Sequence, residues 1–197
     1  MEKVNLMRQV KEDVVALVSS PLYAERIANK VFPVIGEGSH NASIMFIGEA
    51  PGKNEAATGR PFCGASGRIL DELLLSAGIA REQVYITNIV KDRPPGNRDP
   101  FPEEIEAYAP FLDRQIAIIQ PKVLATLGRF SMEYVMSRYG LLGELKPISV
   151  LHGKVFQGKA PHGEVLVVPL YHPAVAIYGA SKKDTLKEDF RVLQAYL

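Results

Sequence analysis

The sequence predicts an α/β protein with a mostly parallel sheet covered by helices on both faces. Two observations lead there. Short apolar runs alternate with amphipathic stretches, the pattern of right-handed βαβ units. The segments after those runs ("GEAPG", "TN", "LG" and "YHPA") all fall at strand ends, on the edge where such sheets bind ligands.

The elements follow in order. Val4, Met7, Val10, Val14 and Leu17 recur at helical spacing, so residues 4–18 read as an amphipathic helix, with a second short helix after Pro21. "GEGSHNA" reads as a turn and "SIMFIGE" as a short buried strand. "GRILDELLLSAG" is a helix stopped by Gly78. "QVYITNIV" is the next strand, and "KDRPPGNRDPFP" is too rich in Pro and Gly for a helix or a central strand. "EEIEAYAPFLDRQIAIIQ" is a helix with acidic residues in its first turn. "KVLATLG" is a strand, "RFSMEYVMSRYG" a helix, and "GKVFQG" and "EVLVVPL" further strands. "YHPAVAIYG" is a loop before a final amphipathic helix.

The 197 residues fit one domain, 1–197, with a sizeable core, and the net charge of +1 neither requires nor excludes a nucleic-acid partner. The single cysteine, Cys63, can form no internal disulfide and no multi-cysteine metal site. The N-terminal stretch lacks a signal-peptide core, and no segment approaches the ~18–20 apolar residues of a membrane span, so a cytoplasmic protein is expected.

The chemistry gathers in the strand-end loops. "GEAPGKNEAATG" is glycine-rich before a helix, as in anion sites, but it fits neither G-x-G-x-x-G nor the P-loop pattern. Glu49 and Glu55 in it would repel phosphate; they suit a site that positions water or stabilises developing positive charge. Phe62, in "GRPFCG", is placed to stack on a flat ligand. Asn88 closes the second strand with an amide able to read a base edge. His172, stiffened by Pro173, can donate to an oxygen where negative charge develops.

Together "GEAPGKNEAATGRPFCGASGRIL", "VYITNIVKDRPPGNRDPFPEE" and "YHPA", in this order, closely resemble the family 4 uracil-DNA glycosylases, over roughly Pro21 to Leu197. The resemblance implies a three-layer α/β/α sandwich with a central, mainly parallel four-stranded sheet. It implies hydrolysis of the N-glycosidic bond of deoxyuridine in DNA, leaving an abasic site and free uracil, by a monomer. Glu49, Glu55 and His172 fall on the catalytic positions, and Gly48, Ala50, Phe62 and Asn88 on those that bind the flipped base. Lys91, Arg93, Asn97 and Arg98 are then expected near phosphates, with Pro173 and Val175 pressing into the gap in the base stack.

The chain departs from the family at one feature. Members typically hold a 4Fe–4S cluster through four cysteines. Those positions correspond here to Leu17, Ser20, Asp92 and Tyr108, so no metal and no cluster is expected. A small core around Leu17 and Tyr108, with Asp92 paired to a nearby Arg or Lys, is expected in its place. Ala56 follows Glu55 where an acidic residue is common, which bears on substrate range. The chain also lacks the His-bearing basic insertion of the related uracil-trapping proteins, so no covalent capture of DNA is expected. Two other readings compete: a protein of this fold that binds DNA or a base without cutting, and a nucleotide-binding α/β enzyme. The retained site residues argue against the first, and the glutamates and missing P-loop lysine against the second.

Overall fold

The computed structural model describes residues 2–197 apart from Tyr178. Tyr178 belongs to the stretch read as a loop and lies outside the described residues.

The chain opens with helices α1 (Glu2–Val15) and α2 (Tyr23–Asn29), then a two-residue strand β1 (Glu37–Gly38). Strand β2 (Ile44–Gly48) leads into α3 (Lys53–Thr58) and α4 (Ala65–Ser76). Strand β3 (Tyr85–Asn88) is followed by a long loop and α5 (Pro102–Ile119). Strand β4 (Val123–Leu127) leads to α6 (Arg129–Arg138) and the short α7 (Ile148–Leu151). The hairpin β5 (Phe156–Ala160) and β6 (Gly163–Leu170) precedes a single-turn 3₁₀ helix (Pro173–Ile177) and α8 (Ala180–Arg191).

The sheet has six strands in the order β1-β3-β2-β4-β6-β5. The four inner strands are parallel; β1 and β5 add antiparallel edges. The expected four-stranded sheet is therefore the parallel centre of a larger one. The fifth strand, "GKVFQG", pairs only with its hairpin partner, and the sixth lies in a segment that reads as a turn because two residues carry no periodicity.

Strands β2 and β4 are buried at every position, as expected for parallel strands covered on both sides, which read as unbroken apolar runs. Successive side chains point to opposite faces. Met45, Ile47 and Leu124 meet α5 and α6 on one face, while Ile44, Phe46, Val123 and Ala125 meet α4 and α8 on the other. Helix α5 runs through Pro110 because its apolar stripe, Tyr108, Leu112, Ile116 and Ile119, continues on both sides. Among the described residues no helix is long and apolar enough to cross a membrane.

The chain order β2, β3, β4 reverses direction across the sheet, with β3 on one side of β2 and β4 on the other. A crevice opens at such a switch point, above the carboxyl ends of the strands.

Candidate active site

A cavity of about 650 Å³ fills that crevice. Glu49, Ala50, Glu55, Phe62, Asn88, Arg98 and His172 line it together. Three separate strand ends, those of β2, β3 and β6, thus deliver their side chains to one place.

Gly48 ends β2 beneath the cavity. A Cβ there would overlap both the Asn88 side-chain oxygen and the Phe62 ring, so glycine is what lets these two groups meet. Gly67, in the first turn of α4, plays a similar part: a Cβ would strike the Phe62 carbonyl. Phe62 itself has φ of +47°, the left-handed region that a bulky residue enters only when held there.

Glu55 supplies the hold. Its Oε1 accepts the main-chain N–H of Cys63 and of Gly64, both at 2.9 Å. The carboxylate therefore pins the loop that carries Phe62. Glu49 differs: its carboxyl makes no hydrogen bond to another described residue. Burial pushes its pKa up to about 7, Asp99 pushes the same way, and Arg129 opposes. A free carboxyl that changes charge near neutrality is suited to taking a proton from water.

His172 is held neutral. Burial lowers its pKa to about 4, with the Glu55 charge opposing. Its Nδ1 lies 3.1 Å from the Ala174 main-chain N–H and accepts from it. The acceptor nitrogen cannot carry the proton of a neutral ring, so Nε2 carries it and is a donor. The ring lies 5.7 Å from that of Phe62, centroid to centroid. Asn88 is 2 % exposed, and its amide makes no hydrogen bond to another described residue. It is available to a ligand.

The remaining residues fall out differently from one another. Arg98 lines the cavity, but its guanidinium is bound bidentately by Glu104 at 2.6 and 2.9 Å. Arg93 donates to Asn97 Oδ1 at 2.6 Å. Pro173 is buried, and Val175 packs half-buried against the core under α4 and α8, while Ile177 is the large apolar side chain of this turn that is exposed. Lys91 is a correction. Expected near phosphates, it is fully buried, with Nζ bonded inside the protein, and cannot reach a strand of DNA. Sequence reading passed over Lys53, an exposed cation lining the cavity beside Asn54. Its place after "GEAPG" is the signal that marks it.

The four positions matched to cluster cysteines converge in space. Ser20 Oγ and the Tyr108 hydroxyl are 2.7 Å apart, and Tyr108 donates to Asp92 Oδ2 at 2.5 Å. Leu17 packs in the same small core. Asp92 pairs with Arg26 at 3.1 Å, and Arg26 also donates to the Val14 and Val15 carbonyls, which closes the open end of α1. Burial raises the pKa of Asp92, with the bonds from Tyr108 and Arg26 opposing. A hydroxyl, a phenol and a carboxylate already engaged by Arg26 do not fit a cluster, which needs thiolates. Among the described residues no group of three or more His, Cys, Asp or Glu is placed to hold a metal ion.

The uracil DNA glycosylase superfamily model matches residues 35–194. A Type-4 uracil-DNA glycosylase of Sulfurisphaera tokodaii is 43% identical over 189 residues, 95% of this chain and 83% of the relative. Those of Saccharolobus solfataricus and Thermotoga maritima are 44% and 39% identical, over 83% and 90% of this chain and 76% and 86% of theirs. The chain belongs to the uracil-DNA glycosylase superfamily.

Proposed function

We propose that this protein is a DNA-repair glycosylase that hydrolyses the N-glycosidic bond of deoxyuridine in DNA and releases uracil. The observation that supports it best is the pairing of a neutral, Nε2-protonated His172 with an unengaged Glu49 carboxyl in one cavity with Asn88 and Phe62.

The target base leaves the duplex stack, at a cost of a few kcal/mol. Phe62 stacks on it and Asn88 bonds its pyrimidine edge. As the bond from C1′ to N1 breaks, its electron pair passes to the uracil ring, and His172 Nε2–H donates to the oxygen where that charge collects. Such a donor is worth about 10²–10³-fold in rate. Water adds to C1′ and gives its proton to Glu49, whose negative charge also favours the cationic sugar. Glu55 keeps Phe62 in place and adds a second negative charge nearby. Arg93, Lys53 and the partly engaged Arg98 lie where phosphates would pass, and the Pro173–Ile177 turn, with Val175 and Ile177, faces the emptied stack.

In this reading the enzyme works without an iron–sulfur cluster, as a cytoplasmic monomer. The Arg26–Asp92–Tyr108–Ser20 bonds join α1, α2, the loop after β3 and α5 where a cluster would have joined them. Iron analysis of purified protein should find none; stoichiometric iron would overturn this part.

The test of function is cleavage of a labelled oligonucleotide with one deoxyuridine, followed by alkali, beside Asn88→Ala and His172→Ala. The parent should cut and both variants should lose most of the activity. Intact DNA binding with no cutting by the parent would favour a non-catalytic or altered-specificity role instead.

A further inference from the structure

Lys91 sits in a Pro- and Gly-rich stretch where a lysine ordinarily meets water, yet it is fully buried. Its Nζ donates to Thr87 Oγ1 at 2.8 Å, to the Asn88 main-chain oxygen at 2.6 Å and to Gln115 Oε1 at 2.6 Å. Three oxygens surround the amine, and none of the three belongs to a carboxylate. Holding an amine here with no counter-charge is expensive, and burial pushes the Lys91 pKa well below that of a free lysine. An unbranched apolar side chain would fill the same space without that cost, so packing alone does not account for a lysine here.

What lysine supplies is a grip on the end of β3. Beyond Asn88, the N–H groups of Ile89 and Val90 bond to the Gly48 and Glu49 carbonyls of the neighbouring chain segment. Those bonds hold one side of the Asn88 turn-off. The Asn88 carbonyl, on the other side, is held by Lys91. The grip is itself anchored: Thr87 Oγ1 and Gln115 Nε2 both donate to the Ile35 carbonyl, at 2.7 and 2.9 Å. Because the Asn88 amide has no hydrogen-bond partner among the described residues, its direction depends on this backbone and on the walls made by Gly48 and Phe62.

We infer that Lys91 is a positioning residue for base recognition: its side chain fixes the main chain at Asn88 so that the amide meets the pyrimidine edge. The inference rests on the reading of Asn88 as the base-reading residue. Lys91 touches neither base nor phosphate and acts through Asn88 alone.

The test is a mutant cycle read by single-turnover release of uracil, with affinity for abasic-site DNA and urea unfolding measured on the same proteins. Lys91→Met should slow release about 10–100-fold, the loss expected from a misplaced binding group, while affinity for abasic DNA, which has no base to read, stays within about twofold of the parent. In the Asn88→Ala background Lys91→Met should add almost nothing, because the group it positions is gone. Thr87→Val keeps Lys91 and removes one acceptor. It should lower the rate in the same direction by less, and again not in the Asn88→Ala background. It decides the matter if Lys91→Met does not fold. An equal loss with and without Asn88 would overturn the inference, as would parental rates in Lys91→Met, or in Thr87→Val if that variant alone folds, beside an impaired Asn88→Ala. A parental rate in Asn88→Ala itself would instead overturn the underlying reading of the site, and it shows without any change at Lys91.

Discussion

Replacing Glu49 by Gln should make the protein more stable at alkaline pH and far less active. The Glu49 pKa rises from 4.5 to about 7 on folding, chiefly because burial penalises the charge. A shift of that size corresponds to about 3 kcal/mol, and partial solvent access reduces it to about 1–3 kcal/mol. The sign follows from proton binding. Between pH 4.5 and about 7 the folded state holds the proton more tightly than the unfolded one, so stability falls as pH rises through this window. Glutamine does not titrate. The variant should therefore match the parent near pH 4 and exceed it by about 1–3 kcal/mol above pH 8. Urea unfolding at a series of pH values reads this directly, from midpoints at constant slope. A gain independent of pH, or none at pH 8, would refute the account of a carboxyl held in the site against its own solvation. The same variant should lose about 10²–10⁴-fold in excision rate, the usual worth of a positioned base.

Other consequences follow from the same geometry. Asp92→Ala leaves Arg26 buried without its counter-charge and should cost about 3–5 kcal/mol by urea unfolding, whereas the double change Arg26→Met, Asp92→Leu should cost less than Asp92→Ala alone. Gly48→Ala drives a methyl group into Asn88 and Phe62, so single-turnover excision should fall about 100-fold while the circular dichroism spectrum stays that of a folded protein. Glu55→Ala frees the Cys63 and Gly64 N–H groups and should raise the concentration of DNA needed for half-maximal rate, whereas Glu55→Gln, which keeps an acceptor oxygen, should recover much of the loss.

How much of this was legible in the sequence depended on whether the signal was local. β2 and β4 announce themselves as unbroken apolar runs, and the strand-end positions of Glu49, Asn88 and His172 follow once the strands are placed. Phe62 could be placed near the site from its loop, but its left-handed backbone and the Glu55 bonds that hold it could not. Helix α3 is only six residues long and follows glycine-rich sequence, so no periodicity marks it. Strand β1 is two residues paired to β3 across nearly fifty positions of chain. Lys91 shows the limit most clearly. Beside Pro94, Pro95 and Gly96 a lysine reads as solvated, and only the tertiary approach of Gln115 from α5 turns it inward. Arg26 was missed for the same reason, since its partners Asp92 and the end of α1 are distant in sequence or across a turn. The charge of Asp92 did suggest a cationic partner, and the structure names it.

The measurement that tests the central claim most directly is the pH dependence of single-turnover uracil release by the parent and Glu49→Gln. The account predicts a rate that rises with pH, with a single apparent pKa near 7, and then stays level, because Glu49 must lose its proton while His172 is neutral throughout. The variant should be slow and flat across the same range. A rate that falls as a histidine loses its proton above pH 6, or a parental profile surviving in Glu49→Gln, would contradict the assignment of Glu49 as the base and of neutral His172 as the donor.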